Sequence, residues 1–273
     1  YGHFSWAQEM IKQGLFLAVD DYNAKEKDFN LDDFSKPSLV SYTRDGKLWG
    51  LPYDEGAGIL YYNKDLFDAA GEAYPDDTWD LEKLKAVALK LTQGEGPNKI
   101  FGLGSLPTPG DGTVAPPYLF PFGAQYLTEP KEDQCLINAP EAVTAMEWWE
   151  ELRTKGAVPS PADLQNLAWP AFQFGKIALQ LEGSWATPPI QANARFQWDM
   201  AKWPKGPKAH STFSAGSAYM ITRDSKTPDA AWIYMTEYLS SAGPSYMWGL
   251  TGRGSPAPLS AWPSYLNSQV APP

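Results

Sequence analysis

The chain has 273 residues, 43% hydrophobic and 20% charged, a globular composition rather than a disordered one. Its formal net charge of −10 argues against nucleic acid as a partner, because a phosphate backbone is met with basic patches. One cysteine, Cys135, and two histidines, His3 and His210, leave no internal disulfide and no Cys-based metal site, and make a zinc site or a Ser–His–Asp triad a poor reading, with His210 alone left open to a triad. No run of about 18 apolar residues is present to span a membrane. No charged-then-apolar leader is seen, and Tyr1 stands where a start methionine would, so the expectation is a processed or partial chain.

In chain order, residues 4–14 read as a short helix stopped by Gly14. "LFLAVDDY" follows as an extended segment. A helix and then a hairpin occupy "DDFSKPSLVSYTRDGKLWGLPYD", with Asp45-Gly46 as the two-residue turn. Ile59–Tyr62 reads as a strand, followed by a helix closed by Gly71. "PDDTWDLEKLKAVALKLT" is a helix with Asp77 or Thr78 as N-cap and a stripe of Leu81, Leu84, Ala88 and Leu91. "KIFGLGSL" is a strand. From Pro107 to Pro117 periodicity disappears, which predicts a long loop, with Asp111-Gly112 as a plain turn.

"NAPEAVTAMEWWEELRTKG" is a helix with Asn138 as N-cap and Ala142, Met146, Trp149 and Leu152 facing the core. Helix "LAWPAFQFGK" feeds a strand that ends in "LEGSWATPP". Further strands are read at "DMAK" and "SAGSAYMITRDS", a helix at "TPDAAWIYMTEYLSS", and a last helix breaking into "TGRGSPA". The alternation of strands and helices predicts an α/β fold with mostly parallel sheets.

Aromatic residues are in excess: 12 Trp, 14 Tyr and 12 Phe. Most must fill core. An acidic, Trp-rich chain with little nucleophile or metal chemistry also suits carbohydrate recognition, in which the C–H face of a sugar stacks on an aromatic plane and carboxylates and amides take its hydroxyls. "IALQLEGSWATPP", Ile177 to Pro189, sharpens this. A strand ends in Glu182, Gly183, Ser184 and Trp185, and α/β proteins keep ligands at strand ends. Trp185 is read either as a stacking surface or as a residue sealing the base of a cleft.

These segments resemble the extracellular solute-binding proteins of ABC importers, and most closely the sugar-binding class that includes maltose-binding protein. The resemblance is carried by "GLFLAVDDY", "YTRDGKLWGLPYDEGAGILYYNKDLFDAAG", "TWDLEKLKAVALKLT", "AFQFGKIALQLEGSW", "AGSAYMITRDSKTPDAAWIYMTEYLSS" and "GRGSPA", in the family's order over nearly the whole chain. It implies a two-lobed α/β fold of periplasmic-binding-protein type II. The N-terminal lobe is expected to hold residues 1–54 plus 219–268 and the C-terminal lobe 58–215, with hinges near 52–58 and 215–219. It also implies that the chain is the central part of a longer protein.

Carried over residue by residue, the resemblance implies a carbohydrate, an oligosaccharide by class, held in an interlobe cleft by hinge closure. Trp185 would stack, with Ser184 or Glu182 beside it. Tyr53, Asp54 and Glu55 would lie at the cleft floor, although the family's acid matches Gly56 best. Gly216 and Ser217 would allow close approach, Arg253 would donate to hydroxyls or lock the lobes, and Trp248 or Trp262 would be a second stacking surface. Tyr118 and Gln125 would reach in from the long loop. Implied partners are the sugar and the membrane permease subunits of an importer, with no cofactor, no metal, no nucleic acid and a monomeric state. The implied location is the periplasm or, as a lipoprotein, the cell surface. Two alternatives stay open. One is a glycoside-hydrolase-like enzyme using Asp54, Glu55 and Glu182 as paired carboxylates. The other is a binder of a glycerol-phosphate-type anion.

Overall fold

A computed structural model describes residues 1–104, 116–128, 134–165, 170–240, 243 and 255–267. The chain divides into two compact units, Tyr1–Ala57 with Ser214–Pro272, and Gly58–Phe213. Among the described residues no helix is long and apolar enough to cross a membrane.

In the first unit three short strands form an antiparallel sheet in the order Gly2–His3, Ser217–Tyr219, Leu51–Pro52. Helix Phe4–Lys12 buries Ala7 and Ile11 and gives way to Gly14, whose φ of 71° suits a residue without a Cβ. The hairpin between Thr43–Arg44 and Lys47–Leu48 turns on Asp45 and Gly46, at φ 52° and 72°, the left-handed pair that matches strand twist. Tyr42, 1% exposed, donates its hydroxyl to the carbonyls of Gly2 (3.1 Å) and Gly216 (2.9 Å), so the segment before the hairpin is tied to two distant parts of the same unit at once. Helix Pro228–Leu239 places Trp232, Met235 and Leu239 in one core with Val19, Phe34 and Leu51.

In the second unit four strands lie in the order Phe101–Leu103, Ile177–Gly183, Gly56–Asn63, Trp198–Lys202. Leu60, Leu179 and Leu181 face a core with helices Leu81–Leu91 and Pro140–Thr154, while Tyr61 packs on the other side with Phe172 and Ile190. Gly102 is dictated by packing: a Cβ there would meet the carbonyl oxygen of Ala88 at 1.7 Å, so helix Leu81–Leu91 lies directly on the strand. The apolar stripe Leu81, Leu84, Ala88 and Leu91 is buried as its spacing predicts.

Four expectations are corrected. Among the described strands only the pairing of Phe101–Leu103 with Ile177–Gly183 is parallel within this sheet; Gly56–Asn63 is antiparallel to both of its neighbours. Alternation of helix and strand fixes layers, not strand sense. The N-cap of Leu81–Leu91 is Asp80, which accepts from the Lys83 amide at 2.8 Å, because Asp76 and Thr78 close a separate turn on themselves. Ala139 rather than Asn138 precedes helix Pro140–Thr154, with no side-chain cap; Ala145 joins Ala142, Trp149 and Leu152 in the buried stripe, and Met146 packs half-buried against the same core. "SAGSAY" is two strands, Ser214–Ala215 and Ser217–Tyr219, interrupted at Gly216. Residues 107–115 of the expected long loop lie outside the described residues, and Pro116–Leu119 is a helical turn.

Helices Leu81–Leu91 and Pro140–Thr154 are joined at the surface by Trp148. Its Nε1 donates to Glu82 at 2.6 Å, and the Lys85 ammonium lies 4.1 Å from its ring centroid while bonding Glu151 at 2.5 Å. Beneath it, Trp149 is 1% exposed and donates to the Tyr118 carbonyl at 3.0 Å. Trp149→Ala is expected to cost about 3–5 kcal/mol of unfolding free energy in urea titration.

Glu72 accepts from Lys83 and Lys90, both at 2.7 Å, and these hydrogen bonds bring its carboxyl down to about 2. A folded-state value below the ordinary carboxylate range contributes stability above about pH 5, lost as pH falls toward 2. The melting-temperature deficit of Glu72→Gln should therefore be present at pH 7, narrow progressively below pH 5, and shrink in high salt at pH 7. A deficit that grows on acidification would contradict this assignment.

Candidate functional site

Two groups of the expected site residues are assembled, one in each unit. In the second unit, strand Ile177–Gly183 passes into a 3-10 turn, Ser184–Ala186, and then helix Thr187–Asn193, which Pro188 and Pro189 start. Glu182, Ser184 and Trp185 are all half-buried. The indole folds back over Gly183, where a Cβ would meet three of its ring carbons at 2.3 Å. This is why glycine ends the strand: the bulk of Trp185 occupies the space a side chain would need. The turn is pinned from below by Tyr61, fully buried, whose hydroxyl donates to the Gly183 carbonyl at 3.1 Å and lies 2.8 Å from the Thr187 hydroxyl. Glu182 accepts from the Gly183 amide at 2.9 Å and sits opposite Ile59.

In the first unit the segment Tyr53-Asp54-Glu55 lies beside Gly216-Ser217. Asp54 Oδ1 accepts from the Ser217 amide at 2.5 Å, and the Tyr53 amide donates to the Ser217 carbonyl at 2.9 Å. A Cβ at Gly216 would meet the Asp54 carbonyl oxygen at 2.2 Å, so the interruption of the strand at Gly216 is the condition for this approach. Glu55 accepts the Ser35 and Ser214 hydroxyls, each at 2.8 Å. Both carboxylates thus hold chain segments of their own unit together. Tyr53 packs on Tyr219 with centroids 4.9 Å apart, and Tyr219 on Tyr238 at 5.0 Å. Burial first, and the nearby Asp54 charge, push the Tyr53 phenol up, against a hydrogen bond with Ser217. Burial likewise pushes up Tyr219.

Tyr118 is a correction. It is 5% exposed and packs edge-on against Trp149 (4.9 Å) and Trp203 (5.4 Å), because the helical turn at 116–119 directs it into the core and not to the surface. Gln125 is exposed, and Trp262 is half-buried against Tyr265. Trp248 and Arg253 lie outside the described residues, as does Asp111-Gly112. Sequence reading missed Phe213, which is half-buried 5.6 Å from Trp185, and the Tyr61 hydroxyl. For Phe213 the one local signal is its place just before the small-residue stretch Ser214-Ala215-Gly216. No group of His, Cys, Asp and Glu able to hold a metal ion occurs among the described residues.

The profile of the bacterial extracellular solute-binding proteins matches residues 3–265. A binding protein of Brucella abortus (strain 2308) is 30% identical over 237 residues, covering 83% of this chain and 54% of that protein. The maltodextrin-binding protein MdxE of Bacillus subtilis (strain 168) is 25% identical over 242 residues, 86% of this chain and 54% of that one. The chain thus spans about half the length of the curated relatives it matches. Among solved structures, an ABC substrate-binding protein from Listeria monocytogenes in complex with cycloalternan superposes with a TM-score of 0.86 at 25% identity, over 98% of this chain and 68% of that one. These matched proteins are binding proteins, with the mixed α/β architecture found here. The profile's span, from His3 in the first strand to Tyr265, takes in both units, and the chain belongs to the bacterial extracellular solute-binding protein family.

Proposed function

We propose that this protein binds a carbohydrate outside the cytoplasm and delivers it to the membrane subunits of an ABC importer, without altering it. In this reading Trp185 stacks on a sugar ring, with Ser184 and Glu182 as adjacent polar groups. Tyr53, Asp54, Glu55, Gly216 and Ser217 form the contribution of the first unit. The lobes are those expected from residues 1–54 with 219–268 and 58–215, hinged near 52–58 and 215–219, and the ligand favours their closed arrangement because it binds that arrangement more tightly. The protein acts as a monomer.

The observation that carries the reading is the Trp185 turn. A half-buried indole is held over a glycine at a strand end by a buried tyrosine hydroxyl. A rigid aromatic face with polar neighbours is a binding surface. Relatives that bind maltodextrin and lactose support the carbohydrate class.

A thermal-shift screen with maltotriose, lactose, mannobiose and glycerophosphocholine tests the ligand class. At least one carbohydrate should raise the melting temperature, and Trp185→Ala should lower its affinity by ~30-fold or more while changing the ligand-free melting temperature far less than Trp149→Ala. Stabilisation by glycerophosphocholine alone, or cleavage of a labelled oligosaccharide on long incubation, would replace this reading. So would a large melting shift in Trp185→Ala with affinity preserved.

A further inference from the structure

Gly58 and Gly183 are direct cross-strand partners in the antiparallel pairing of the second unit. Two glycines facing each other in a sheet weaken it, since neither contributes a side chain to the pair. Both are explained by rings that lie over them. A Cβ at Gly183 would meet the Trp185 indole at 2.3 Å, and one at Gly58 would meet the Phe213 ring at 2.6 Å and the Thr212 hydroxyl at 2.4 Å. Trp185 and Phe213 stand side by side above this recess, with centroids 5.6 Å apart and planes inclined by 40°. Each is half-buried: Phe213 and Trp185 pack against core clusters while part of each side chain stays exposed.

Both rings are also fixed from behind. Phe213 abuts Trp203, which is 2% exposed, edge to face at 5.8 Å, and Thr212 donates to the Gly58 carbonyl at 3.1 Å. Trp185 stands on the turn that the Tyr61 hydroxyl holds. The pair is therefore a preorganised surface of two planes, for which the sheet has given up two side chains.

We propose that Phe213 is a second stacking residue beside Trp185, and that the pair takes two consecutive, linked rings of a glycan. This rests on the carbohydrate reading. One rigid ring lies flat on one plane only. Planes inclined by 40° are both covered by a ligand that bends at a joint between two rings. Single-ring sugars and acyclic polyols use one plane and leave the other bare.

The test measures binding of maltose, lactose and mannobiose, and of glucose, galactose and mannose, to the full chain by titration calorimetry. Phe213→Ala should weaken the disaccharide that the unmodified protein binds by ~10-fold. It should leave the matching monosaccharide within about twofold, or equally undetectable. Phe213→Leu keeps the apolar volume without the aromatic face and should lose the disaccharide as Phe213→Ala does, at a melting temperature near that of the unmodified protein. Phe213→Tyr should retain it. Undiminished disaccharide binding by Phe213→Ala and Phe213→Leu overturns the role of Phe213 and leaves the carbohydrate reading standing. Full retention by Phe213→Leu with loss only in a destabilised Phe213→Ala also overturns it, since the ring would then be packing alone. If the unmodified protein binds none of the six sugars, the carbohydrate reading fails and this inference fails with it.

Discussion

The hydroxyl of Tyr61 has no access to water. The residue is fully buried, and its oxygen meets the Gly183 carbonyl and the Thr187 hydroxyl, itself 2% exposed. A buried hydroxyl without partners costs several kcal/mol, and leaving the Gly183 carbonyl or the threonine unpaired adds to this. The end of strand Ile177–Gly183 and the start of helix Thr187–Asn193 are therefore held to one point on the central strand. The three residues between them have little freedom left. Trp185 stands where it does because a hydrogen bond 122 residues away in sequence fixes both ends of its turn.

Close backbone approach is the second constraint, and it recurs in both units. At Gly216 the first unit brings Asp54 against the returning chain, and the Asp54 carboxylate then accepts the Ser217 amide. At Gly102 a helix rests on a strand, and at Gly183 an indole rests on one. In each case the missing Cβ admits a specific neighbour. The acids of the Tyr53–Glu55 segment belong to this scheme: their hydrogen bonds to Ser35, Ser214 and Ser217 hold three segments of the first unit together.

What could be read from sequence was what local chemistry determines. Asp45-Gly46 specifies its hairpin through two left-handed residues, the leucine stripe of Leu81–Leu91 specifies a buried helix face, and the apolar run before Glu182 specifies a strand. The family resemblance is likewise legible, because it rests on ordered segments along the chain. Strand sense was not legible, since nothing in residues 56–63 records which way their neighbours run. Tyr118 was misplaced because a short helical turn inside an aperiodic stretch decides its direction. Phe213 was missed because its meaning depends on Gly58 facing Gly183, a register that only the folded sheet creates. The 12 tryptophans illustrate the same limit: composition counts them alike, whereas packing separates Trp149 in the core from Trp185 at a strand end.

That separation bears on how the proposed stacking surface would discriminate between ligands. A flexible aromatic loses rotamer freedom when a ligand stacks on it, and the loss is taken from the affinity. Trp185 and Phe213 are ordered already, by Gly183 and Tyr61 in one case and by Gly58 and Trp203 in the other. In the proposed complex, binding would then order the ligand and little of the protein. Under that condition the angle between the two planes becomes a discriminating quantity, because the rings do not rotate to follow a ligand of the wrong shape. Glycines at 58 and 183 weaken the sheet where they pair, and the return on that weakness is a surface whose geometry is decided before the ligand arrives.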